Sequence, residues 1–67
     1  MMTDIAEVKR RFLALPGVTS VQVIPRTGYD VFITLPEWND ETEQAVYAIE
    51  RDILRTTDIV FETHISY

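Results

Sequence analysis

A chain of 67 residues with eleven acidic and six basic side chains, a net charge of −5 and 46% hydrophobic composition makes a single domain, 1–67, whose core must be thin. No cysteine is present, which excludes a disulfide framework or a thiolate metal site, and the acid excess opposes nucleic acid as a partner. The apolar runs fall far short of the roughly 20 residues a membrane span needs, and the first dozen residues lack the apolar stretch of a secretion signal, so a cytoplasmic setting is expected.

Taken in chain order, Asp4 with Glu7 three residues later reads as a capped helix start, and Ile5, Val8, Phe12 and Leu15 recur at helical spacing. Pro16-Gly17 ends that helix. Val18 to Ile24 alternates as a half-buried strand, Pro25-Arg26-Thr27-Gly28 carries turn chemistry, and Tyr29 to Leu35 is a second strand. It sets Tyr29, Val31, Ile33 and Leu35 on one face and Asp30, Phe32 and Thr34 on the other. After the break at 36–39, Asp40 and Glu43 form a second capping pair. The helix they open runs to about Arg55, with Ala45, Val46, Ile49, Ile53 and Leu54 as its apolar stripe. Ile59 to Ile65 is the third strand, with Val60, Glu62 and His64 sharing a face.

The expected fold is therefore α+β, in the order α-β-β-α-β, with two helices packed on one face of a three-stranded antiparallel sheet. A crossover from the hairpin is expected to lay the third strand beside the first, giving the order 2-1-3. The uncovered face then carries Ile24, Phe32 and Val60, apolar side chains that suit an interface with a second copy or another protein.

Chemistry-bearing motifs are sparse. The single histidine, His64, shares a strand face with Glu62, and these two are the candidate metal ligands, with zinc or another divalent ion as the cofactor considered. The alternative is an ordinary surface histidine beside a surface glutamate. No serine sits in a nucleophile elbow, no glycine-rich loop offers a phosphate cradle, and the carboxylates of Asp40 and Glu43 are accounted for by helix capping. No catalytic residue is assigned, although Glu62 and His64 are the one pair suited to acid–base work. Lys9-Arg10-Arg11 reads as a solvated helix face, and Trp38 either staples the second helix or anchors a partner.

The stretch LPGVTSVQVIPRTGYDVFITL, followed by QAVYAIERDILRTTDIVFETHIS, resembles the cytoplasmic C-terminal domain of cation diffusion facilitator transporters, a ferredoxin-like, metallochaperone-like module, over nearly the whole chain. The matching positions are Gly17-Val18, Arg26 with Gly28, Ala45-Val46, Glu50 and His64-Ile65-Ser66. Val46, Ser66 and Tyr67 stand where that family carries a histidine, an aspartate and a proline, so His64 alone remains of its ligand set. The LPGVTSV phrase is also similar to heavy-metal-associated domains, without their paired cysteines. The resemblance implies a dimerising cytoplasmic module with metal sensing reduced or lost.

The leading expectation for function is a non-enzymatic interaction or homodimerisation module. A metal-responsive regulatory domain built on Glu62 and His64 is the alternative, followed by a small enzyme using the same pair.

Overall fold

The computed structural model describes residues 4–67. Asp4 opens the first helix as its sequence suggests: its carboxylate accepts from the Glu7 backbone N–H at 2.9 Å, satisfying one of the donors a helix start leaves free. The helix, α1, covers Ile5–Leu13 and buries Val8 and Phe12. Gly17, at φ +86°, turns the chain out of the helix exit.

Strand β1 (Ser20–Arg26) and strand β2 (Gly28–Thr34) form the expected antiparallel hairpin, with Val21 opposite Ile33 and Pro25 opposite Tyr29. The strands continue further into the turn than the sequence suggests, leaving Thr27 alone between them. Gly28 makes this possible: its φ is +93°, and a Cβ there would stand 2.7 Å from the Val60 carbonyl oxygen.

Helix α2 (Asp40–Thr56) starts one residue earlier than the expected Asp40 cap. Its N-cap is Asn39, whose side-chain oxygen accepts from the Thr42 N–H at 3.2 Å. Thr42, 5% exposed, sends its hydroxyl to the Pro16 carbonyl at 3.0 Å, tying the start of α2 to the loop after α1. Val46 and Ile53 face the core, whereas Leu54, placed in the apolar stripe from sequence, is 44% exposed.

The class, the element order and the placing of two helices against one three-stranded sheet are as expected, a ferredoxin-like α-β-β-α-β arrangement. The position of the last strand is not. Strand β3 (Phe61–Ser66) lies beside β2 rather than β1, the sheet order is β1-β2-β3, and the β2–β3 pair is parallel. The sheet is thus antiparallel in the hairpin and parallel at its other side.

Three interactions account for this placement. The Tyr29 N–H donates to the Val60 carbonyl at 3.0 Å and the Leu35 N–H to that of Ser66 at 2.9 Å, so both ends of β2 are bonded to β3. Phe61 meets Phe12 edge-on, ring centroids 6.1 Å apart, which binds β3 to α1 through the core. Glu50 of α2 accepts from the Thr63 N–H at 3.2 Å and from its hydroxyl at 2.6 Å, occupying part of the edge of β3 turned away from β2. Among the described residues, no helix is long and apolar enough to cross a membrane.

Gly28→Ala is expected to lower stability by at least about 2 kcal/mol, because a positive φ alone costs an L residue about 1–2 kcal/mol and the new methyl would displace the Val60 backbone. Urea unfolding followed by circular dichroism measures this; an unchanged midpoint would mean that the turn relaxes without disturbing β3.

Candidate metal centre

The alternation of each strand fixes which side chains reach the face away from the helices. Cross-strand partners there form two adjacent rows, Gln22–Phe32–His64 and Ile24–Asp30–Glu62. Because β3 is parallel to β2, His64 lies diagonally across from Asp30, one row along. One strand, β1, would separate them had β3 paired with β1.

Asp30 is the centre of this face. Its Oδ1 lies 3.2 Å from His64 Nε2, and its Oδ2 accepts from Arg26 Nε at 3.1 Å, with the aspartate side chain only 18% exposed. The carboxylate therefore serves both partners at once. His64 is positioned from a second side by Phe32, whose ring stacks on the imidazole with centroids 4.8 Å apart and planes 19° from parallel. An acceptor carboxylate at Nε2 favours the tautomer that carries its proton there, leaving Nδ1 with a free lone pair.

Glu62 completes the group. It is exposed, and the ligand atoms of Asp30, Glu62 and His64 all lie within 4.8 Å of one another. Four ligands bonded to zinc at about 2.0–2.1 Å stand about 3.3 Å apart, so the Asp30–His64 separation is already suitable and Glu62 needs only a side-chain rotation. One imidazole nitrogen and two carboxylates form a donor set for first-row divalent ions, with at least one coordination position left open. Beside it is a shallow hollow lined by Arg26, Tyr29, Asp30, Val60 and Glu62, so an incoming ion has access from solvent.

Both sequence-derived ligand candidates, Glu62 and His64, are in this group. Asp30 was missed as a ligand although its alternation had placed it on the open face, because the expected sheet order kept β2 and β3 apart. Ile24, Phe32 and Val60 all occur on the same face, but not as one apolar patch: the charged row of Asp30 and Glu62 lies between Phe32 and Val60. Val60 is 66% exposed, whereas Ile24 and Phe32 are partly covered. The Ser66 hydroxyl pairs with that of Thr34 at 3.5 Å.

The chain matches no family model, no curated protein and no solved structure with significance. The site is therefore read from its own geometry.

In the ion-free protein, neutral His64 is expected to hold its proton on Nε2, seen as the pattern of imidazole nitrogen shifts in ¹⁵N NMR, and Asp30→Ala is expected to redistribute it toward Nδ1. A predominant Nδ1–H form in the unmodified protein would contradict the pairing with Asp30.

Proposed function

We propose that this protein is a metal-responsive regulatory module that binds one divalent transition-metal ion through Asp30, Glu62 and His64. The observation that carries this reading is the convergence of three ligand atoms from two paired strands within 4.8 Å. The resemblance to the cytoplasmic domain of cation diffusion facilitator transporters points the same way, since such a domain is a metal-linked regulatory unit; the ligand set here is this chain's own.

The response to metal follows from how the ligands are held. Asp30 sits on β2, Glu62 and His64 on β3, so an ion joins the middle strand to its parallel neighbour. Binding through Nε2, the ion takes the place of the proton shared by His64 and Asp30. The imidazole must be neutral and the carboxylates ionised, so affinity falls on acidification.

With zinc, calorimetry on the unmodified protein is expected to give one site per chain. Free zinc at a hundredfold excess over Kd stabilises by about 2.7 kcal/mol, which raises the melting temperature of a domain this size by about 10–20 °C. His64→Ala is expected to abolish binding, and Asp30→Asn or Glu62→Gln to weaken it at least tenfold. Absence of stoichiometric binding, or binding that survives in His64→Ala, would overturn the reading.

The same face supports a second role in self-association. Ile24, Phe32 and the 66%-exposed Val60 surround the ligand group, and a second copy seated there would cover them while offering its own donor to the open coordination position. Light scattering over a tenfold range of concentration, with and without zinc, is expected to give a dimer that Phe32→Glu converts to monomer. A monomer under every condition would leave the metal reading standing and remove this one.

A further inference from the structure

The acids and aromatics around the start of α2 lie apart from the metal centre and have no part in it. Trp38, the sole tryptophan, is read from sequence as either a staple on the first turns of α2 or an exposed anchor for a partner. It is 59% exposed, with its ring against that of Tyr67, itself 58% exposed; the centroids are 5.4 Å apart and the planes tilted by 52°. Tyr67 joins this surface to α2 through its hydroxyl, 3.5 Å from Glu43 Oε2, and Tyr47, one helical turn beyond Glu43, adds a third ring that is 40% exposed.

The charges next to Trp38 along the chain are of one sign. Glu37 precedes the indole, and Asp40, Glu41 and Glu43 occupy the first turn of α2. The helix dipole accounts for acids in that turn, but not for three large aromatic side chains turned outward beside them. Among the described residues, none of these four carboxylates takes part in an ion pair: the arginine pairs are Arg11 with Asp52 and Arg26 with Asp30. The negative field is also felt by Tyr67. Desolvation, then the Glu43 charge and hydrogen bond, push its phenol up from the ordinary value.

We infer that this aromatic and acidic surface docks an arginine-containing basic segment of another protein. A guanidinium can lie flat on the exposed indole while its N–H groups reach carboxylates beside the ring, a combination suited to arginine more than to the compact, strongly hydrated ammonium of lysine. Anionic partners are repelled. A two-fold contact of the patch with its own copy would bring four acids against four, so charge complementarity favours a cationic partner over a symmetric dimer here.

The test is the anisotropy of a dye-labelled peptide of alternating glycine and arginine, added to the full chain at low salt, alongside quenching of Trp38 emission by the unlabelled peptide. Saturable binding is expected, weakened at least tenfold in Trp38→Ala and in the double variant Glu37→Gln/Glu43→Gln, severalfold weaker for the matching lysine peptide, and unchanged in His64→Ala. Circular dichroism verifies the fold of each variant, and Tyr67→Ala supplies a second aromatic deletion should Trp38→Ala unfold. Three results would overturn the proposal: no saturable binding up to about 1 mM, equal affinity in the folded aromatic variants, or a protein mass that rises with concentration and falls back in Trp38→Ala, which would assign the patch to a second copy.

Discussion

The parallel pairing of β3 with β2 determines what this small sheet can do. It rests on hydrogen bonds at both ends of β2 and on a glycine at the hairpin turn, where any side chain would strike the Val60 backbone. With β3 in this position, the middle strand has a neighbour on each side, and its carboxylate at Asp30 reaches both the hairpin arginine and the histidine of the last strand. The same pairing puts Phe61 against Phe12, so the contact that closes the core also aligns the opposite face. Strand alternation couples the two: a one-residue slip of β3 would expose Phe61 and turn His64 inward.

The edges of the sheet are treated differently. The outer side of β3 is partly occupied by the Glu50 carboxylate, which takes up both the backbone N–H and the hydroxyl of Thr63. A buried or half-buried carboxylate is costly unless it is bonded, and here the two donors belong to one residue of the strand it protects. Glu50 thus has a structural duty apart from the proposed metal ligands. Glu62 on the open face and the acids around Trp38 have no such bond to a strand backbone, and they contribute to the two proposed cation-seeking surfaces.

Local signals in the sequence were sufficient for the elements and for most of the face assignments. Asp4 with Glu7 and the alternation of Tyr29 to Leu35 each act over a few residues and form as read, whereas α1 ends at Leu13, ahead of Leu15 and the expected Pro16-Gly17 stop. Asn39 displaced Asp40 as the cap of α2 because both are good capping residues and the choice depends on which backbone leaves the helix first. The position of β3 was not legible, since a strand after a crossover helix can join either side of a hairpin, and the deciding contacts, Gly28 with Val60, Phe61 with Phe12 and Thr63 with Glu50, join residues distant in sequence. The loss of Asp30 from the expected ligand set followed directly from that. The choice between the two readings of Trp38 was not legible for a similar reason: its partner ring, Tyr67, is at the other end of the chain.

Eleven acidic side chains in so short a chain repel one another, and the fold reduces this by only a few pairings, Arg11–Asp52 and Arg26–Asp30 among them. Where carboxylates converge, a positive ligand gains from its direct bonds and from relieving repulsion already present, although at Asp30 the Arg26 guanidinium already offsets part of that repulsion. At Asp30 and Glu62 the geometry is that of point ligands with a fixed imidazole beside them, which suits a small ion. Around Trp38 the acids are spread along a helix start and flanked by rings, which suits a broad, planar cation. The parallel strands carry both: β2 and β3 bear the proposed ion ligands along their length, while Trp38 and Tyr67 follow just beyond their C-terminal ends. His64 and Tyr67 are three residues apart on an extended strand, about 10 Å, roughly one screening length at ordinary salt. An ion at the first proposed surface would therefore change the field at the second only weakly, so the two proposals are separable.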